Sequence, residues 1–137
     1  SSLPTAIAAK LAYPESRVII CSGDGAFGFN GMEFDTAVRH GINFVNVLGN
    51  DSAWGIDKGF QLAYYGRAVA TDLRFVRYDQ VVEAMGGYGE YAERPEEVAP
   101  AVERAISSGR PSLVNVKIQS VRSPLADAMI ARKTSSR

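Results

Sequence analysis

Short runs of consecutive apolar residues alternate along the chain with stretches of helical periodicity. Residues 17–21, 44–48 and 112–118 are short, rich in β-branched side chains and largely apolar without strict polar alternation. That pattern predicts strands covered on both faces, as in a parallel sheet. A weaker strand is predicted over 88–92. Between these runs, Pro4 suits a first helical turn and 6–12 is rich in helix formers. Phe34, Ala37, Val38 and Gly41 recur at helical spacing, predicting a helix over 30–40 closed by Gly41. Asp79 is read as the cap of a helix through Met85, ended by Gly86-Gly87. Pro95 opens another helix with Val98, Val102, Ala105 and Ile106 on its apolar stripe, and Gly109 and Pro111 stop it. A last amphipathic stretch covers 125–132. Residues 57–77 show no clear period and predict no element.

Strands alternating with helices imply right-handed βαβ units, so the expected fold class is α/β, an open parallel sheet flanked by helices. Ligands of such sheets sit beyond the carboxyl ends of the strands. The loops to inspect are therefore 22–29, 49–56 and the segment from 119 onward.

Composition narrows the function classes. The chain has 137 residues, a prior for one domain, and is 46% hydrophobic and 22% charged. Fifteen basic residues balance fifteen acidic ones, so nothing points to nucleic acid or to an acidic tail. Arg132, Lys133 and Arg137 among the final serines read as a solvated terminus. Cys21 is the single cysteine; it cannot form an intrachain disulfide and is expected to be a small buried hydrophobe. No apolar run is long enough to span a bilayer. Residues 1–10 lack the basic start and long apolar stretch of a signal peptide, which makes a cytoplasmic setting the default expectation.

The first loop reads Ser22-Gly23-Asp24-Gly25-Ala26-Phe27-Gly28. Glycine lets backbone approach an anion closely, and free amides at a helix start bind phosphate oxygens. A bare carboxylate beside phosphate repels it, a conflict that a bridging magnesium ion resolves. Asp-Gly is equally a turn signal, so this loop alone reads either way. The second loop, Gly49-Asn50-Asp51-Ser52-Ala53-Trp54-Gly55, follows the next buried strand and offers hard oxygen ligands. It reads alternatively as a polar loop with an Asx turn. If the two strands are neighbours, Asp24 and Asp51 converge.

Gly23-Asp24-Gly25, followed after a helix and a strand by Asn50-Asp51, resembles the thiamine diphosphate (TPP) motif that begins Gly-Asp-Gly and ends Asn-Asn. Asp51 lies 27 positions after Asp24, where that family places its second asparagine ligand. The helix over 3–12, the helix after Asp79 and the strand over 111–118 also match. The resemblance covers nearly the whole chain and is closest to the acetolactate synthase-like, oxalyl-CoA decarboxylase, 2-hydroxyacyl-CoA lyase and benzaldehyde lyase branch.

It implies that Asp24 and Asp51 bind Mg2+ through side chains and Ala53 through its carbonyl. Gly23, Gly25 and Ala26 would meet the diphosphate, Asn50 would support the second loop, and Trp54 and Gly55 would lie near cofactor or substrate. Two departures stand out: Asp51 replaces an asparagine and Ala26 replaces a frequent serine. The activating glutamate is expected on a domain absent here, so no catalytic residue is assigned to this chain. The strand that begins such domains has no counterpart before residue 1. The resemblance thus implies a truncated domain over 1–122, a tail over 123–137, and a longer chain working as a homodimer or homotetramer. The expected function is a carboligase, lyase or decarboxylase acting on a 2-oxo acid, an aldehyde or a 2-hydroxyacyl-CoA, nominally acetolactate synthase-like. The alternatives are a non-catalytic cofactor-binding homologue and a magnesium-dependent phosphate-handling domain. An aspartyl phosphatase would want a second aspartate where Ala26 stands.

The remaining candidates read as structural. His40 suits a helix end, and Glu33 and Asp35 a solvated helix start. Asp57 and Lys58 suit another solvated start. Tyr64-Tyr65 suit interface or core, and Phe27 and Phe29 a dimer surface. Arg132 and Lys133 are also weighed as contacts to coenzyme A phosphates.

Overall fold

The computed structural model describes residues 2–121 and 124–135. Helix α1 (Ser2–Ala12) leads into β1 (Ile19–Gly23), α2 (Asp24–Asn30), α3 (Glu33–His40) and β2 (Val45–Asn50). Then follow α4 (Gly55–Tyr65), α5 (Tyr78–Ala84), β3 (Tyr88–Ala92), α6 (Pro95–Ser107), β4 (Ser112–Lys117) and α7 (Pro124–Ser135). The four strands form one parallel sheet in the order β1-β2-β4-β3. This is the open parallel α/β sheet that the apolar runs predicted.

Two apolar layers hold it. On one face Leu3 and Ala6 of α1, Phe27 of α2, Phe34 and Ala37 of α3 and Val82 of α5 pack with Leu48 and Leu113. On the other, Ala101 and Ala105 of α6 pack on Val45 and Val114. Gly41 closes α3 at φ 62°, its N–H returning to the carbonyls of Ala37 and Val38. Among the described residues no helix is long and apolar enough to cross a membrane.

The structure corrects several expectations. The helix expected over 30–40 is α3, which starts only at Glu33, whereas the expected loop over 22–29 is mostly a helix of its own: α2 starts at Asp24, directly after β1, and a turn at Gly31-Met32 redirects the chain into α3. The glycines at 25, 28 and 31 hide α2 from a propensity reading. Residues 57–77, which predicted no element, contain most of α4. Its Gly59 is buried close to Ala126 of α7, so a glycine that weakens the helical signal lets two helices approach. Cys21 is exposed, not buried, because α6 covers β2, β4 and β3 and leaves that face of edge strand β1 open. Phe27 is 4% exposed and packs with Phe34 and Tyr78 in the core, whereas Phe29 is on the surface. The division expected between 122 and 123 falls on residues outside the described ones, as does Arg137.

Candidate functional site

Gly23 at the end of β1 stands opposite Gly49 near the end of β2. The turns that follow therefore leave one edge of the sheet side by side. Asp24 opens α2 and is 2% exposed. Asp51 lines the same cavity, and its charge bears on the Asp24 carboxyl. Asp24 Oδ2 is buried with no hydrogen-bond partner. Burial pushes the Asp24 carboxyl above the ordinary carboxylate value and the Asp51 charge adds to that, while the Gly25 N–H pulls the other way. Two crowded acids in this setting call for a proton or a cation between them.

A cavity of about 320 Å³ opens over the pair. Its walls bring together Gly23, Asp24, Gly25, Ala26, Asp51, Ala53, Trp54 and Gly55. Gly49, Ile56, Asp57 and Ile118 complete it; Gly49 and Ile56 belong to the expected loop over 49–56, whereas nothing in the sequence pattern marks Ile118. Helices α2 and α4 both begin here, and neither has a side-chain cap. Their first N–H groups and positive dipole ends favour an anion. Two glycines are required by close approach. A Cβ on Gly25 would stand 2.9 Å from Trp54 Cδ2, and one on Gly55 2.8 Å from Asp51 Oδ2.

The second turn is clamped from outside by an extended segment that the sequence did not flag. Trp54 donates its N–H to Thr71 O at 2.8 Å, and Leu73 donates to Ser52 O at 2.7 Å, around an antiparallel bridge between Ala53 and Asp72. Lys58, read as part of a solvated helix start, is ion-paired with Asp72. Asn50 is 1% exposed and turned inward, behind the turn. Trp54 meets the ring of Phe29 edge-on, with centroids 5.0 Å apart. His40 is exposed at the end of α3, away from the cavity wall.

Among the described residues no three His, Cys, Asp or Glu side chains gather as a metal cluster. The acidic pair would need a backbone oxygen as a third protein ligand. Another cavity, of about 360 Å³, lies at the opposite edge of the sheet, lined by Lys10, Arg17, Ile19, Val45 and Arg110 among others. It holds no acidic residue and none of the motif.

A parallel sheet with two glycine-and-acid turns meeting at one carboxyl edge defines an α/β domain built to take a small anionic ligand. Residues 1–116 match the family described as thiamine pyrophosphate enzyme, C-terminal TPP binding domain, and the chain belongs to that family. It is 53% identical over 112 residues to the acetolactate synthase large subunit IlvG of Mycobacterium tuberculosis, covering 81% of this chain and 20% of that protein. It is 40% identical over 106 residues to sulfoacetaldehyde acetyltransferase of Alcaligenes xylosoxydans, covering 77% and 18%. A 2-hydroxyacyl-CoA lyase 2 of Caenorhabditis elegans is 39% identical over 85 residues, covering 62% and 13%. Among solved structures, the thiamine diphosphate-dependent 4-hydroxybenzoylformate decarboxylase of Rhodococcus jostii RHA1 superposes with a TM-score of 0.82 at 25% identity, covering 89% of this chain and 23% of that one. The chain thus spans about a fifth of the length of the curated relatives it matches.

Proposed function

We propose that this chain anchors thiamine diphosphate through Mg2+ within a longer enzyme that makes or breaks a carbon–carbon bond next to a carbonyl. One observation carries the reading: Asp24, with a buried and unpartnered oxygen, shares with Asp51 the wall of a cavity at which two uncapped helices begin. The residues fit the cation, because two carboxylates and the Ala53 carbonyl are hard oxygen donors. They fit the diphosphate, because α2 begins at the cavity with no side-chain cap and glycines on both sides of Asp24 leave room for close approach.

In this reading Asp24 and Asp51 hold the cation and Ala53 adds its carbonyl. Gly23 and Gly25 admit the diphosphate, and Asn50 fixes the turn. Trp54 and Gly55 shape the wall toward cofactor and substrate. When bound, the cofactor supplies an ylid that stores the carbanion released at a carbonyl carbon. This chain orients and desolvates the anchoring group, and its own residues perform no proton transfer in the proposal. The extra charge of Asp51, where an asparagine is usual, is balanced by the cation. The 53% identity to an acetolactate synthase large subunit supports a carboligase among these reactions. In the proposal its substrate is a 2-oxo acid and its working form a cytoplasmic homodimer or homotetramer.

The test is calorimetric titration of the full-length protein with thiamine diphosphate, with and without Mg2+, followed by a screen of 2-oxo acids and 2-hydroxyacyl-CoA esters. Saturable binding that needs Mg2+ and is lost in Asp24→Ala supports the reading. Equal affinity in that variant refutes it.

A further inference from the structure

Behind the cation turn lies a polar network buried between β2, β4 and the start of α5. Asn50, Asn115 and Asp79 are 1%, 0% and 3% exposed. Asn115 Nδ2 donates to Asp79 Oδ1 at 2.9 Å and to Val76 O at 3.2 Å. Asn50 Nδ2 donates to Asn115 Oδ1 at 3.2 Å and to Val76 O at 3.0 Å. Asn50 Oδ1 accepts the Ser52 N–H at 3.3 Å. Arg77 Nη2 holds Asp79 Oδ2 at 2.6 Å, and its guanidinium lies 4.3 Å from the Tyr91 ring centroid. Both amide groups thus use all their N–H donors.

We infer that Asn115 and Asp79 are positioning residues for cofactor capture, fixing through Asn50 the backbone that presents Asp51. The inference rests on the cation and cofactor reading above.

The direction of the chain follows from donor chemistry. An ionised Asp79 only accepts, so Asn115 must turn its NH2 toward it. Asn115 Oδ1 is then the face shown to Asn50, so Asn50 must also turn its NH2 that way. Only then does Asn50 Oδ1 meet the Ser52 N–H. That N–H belongs to the peptide joining Asp51 to Ser52, and Ser52 sits at φ 57°, a left-handed conformation that a serine does not hold without support. The Ser52 carbonyl is tied separately to Leu73, so both peptides of Ser52 are fixed. Asp79 thereby orients a ligand loop it does not touch, as hydrogen-bond partners behind metal ligands do elsewhere.

The network also accounts for two residues that the sequence pattern leaves unexplained. Asp79 spends its carboxylate on Arg77 and Asn115 rather than on capping α5, whose N-cap Arg77 makes no side-chain cap bond. Asn115 interrupts the apolar run of β4 because it serves the turn after β2.

The experiment measures half-saturation by thiamine diphosphate at fixed Mg2+, together with kcat at saturating cofactor, on the full-length enzyme. Asn115→Leu is expected to raise half-saturation about 10- to 100-fold, with kcat at saturation falling less than about threefold. Asn115→Asp sets two carboxylates together and is expected to do the same. The double variant Asn115→Asp with Asp79→Asn restores a donor–acceptor pair that still orients Asn50, and should recover to within about threefold of the wild type. Val114→Ala, on the opposite face of β4, should lower thermal stability and move half-saturation less than about twofold. If Asn115→Leu does not fold, the single and double aspartate exchanges decide. Half-saturation unchanged in Asn115→Asp, a double variant no better than Asn115→Asp, or Val114→Ala as damaging as Asn115→Leu would overturn the inference. A wild type that shows no Mg2+-dependent saturation overturns the proposed function itself. A saturating wild type with unaffected relay variants overturns the relay alone.

Discussion

Asp24→Asn separates the two opposing demands on the site. In the cation-free protein the buried Asp24 carboxyl has an unpartnered oxygen and a second acid beside it. Its ionisation is therefore resisted in the folded state and not in the unfolded one. Below the ordinary value of 3.8 both states are protonated and Asp24 costs nothing. As pH rises above 3.8 the unfolded chain ionises first, so stability falls until the raised folded pKa is passed. Asparagine is neutral throughout and can donate to Asp51. An unsatisfied buried polar group costs about 1–3 kcal/mol, so the cation-free variant should be more stable than the wild type by about 1–2 kcal/mol at pH 8. The gain should shrink toward zero below pH 4. With Mg2+ and thiamine diphosphate the sign reverses. Ligand at about 100 times its Kd stabilises the wild type by about 2.7 kcal/mol, which the variant forgoes. Urea unfolding at pH 8 and in acid, with and without ligands, reads both effects. A variant less stable than the wild type when cation-free at pH 8, or one that keeps the full ligand stabilisation, would refute the reasoning.

Gly55→Ala puts a methyl 2.8 Å from Asp51 Oδ2 and should raise the cofactor concentration for half-saturation about tenfold, read by calorimetry; an unchanged isotherm contradicts it. Gly89→Ala puts a methyl 2.5 Å from the Asp79 carbonyl oxygen and should cost about 1–3 kcal/mol in urea unfolding, against no loss if β3 is free to yield. Burial alone would raise the Asp79 carboxyl, but hydrogen bonds from Arg77 and Asn115 and the Arg77 charge hold it below the ordinary value. Its contribution is therefore present above pH 3.8 and lost as pH falls through the lowered folded pKa. Stability curves of wild type and Asp79→Asn should diverge at neutral pH and converge in acid; a gap constant across pH sinks this assignment.

Apolar runs made β2 and β4 legible, because a strand buried on both faces leaves little polar alternation to confuse with a helix, and β1 read the same way although one of its faces is open. Adjacency of β1 and β2 was an assumption until their register set Gly23 opposite Gly49. Features with long-range causes were not legible. Gly25 and Gly55 break helical propensity because Trp54 and Asp51 occupy the space of their missing side chains. The clamp formed by Thr71 and Leu73 uses backbone groups only, which leave no trace in side-chain pattern. Asp79 carries the signature of a helix cap, and only the fold reveals Asn115 as its partner from 36 positions away. Cys21 reads as buried from its neighbours, but its exposure depends on which strands α6 covers.

The claim that divalent cation and diphosphate meet at Asp24 and Asp51 is tested most directly by crystallography. The full-length protein would be crystallised with thiamine diphosphate and Mn2+ in place of Mg2+, and anomalous scattering recorded. The account predicts one manganese peak bonded to both carboxylates and to the Ala53 carbonyl, with diphosphate oxygens completing the shell. Bound cofactor with its metal held elsewhere, or with no metal at these acids, would contradict it.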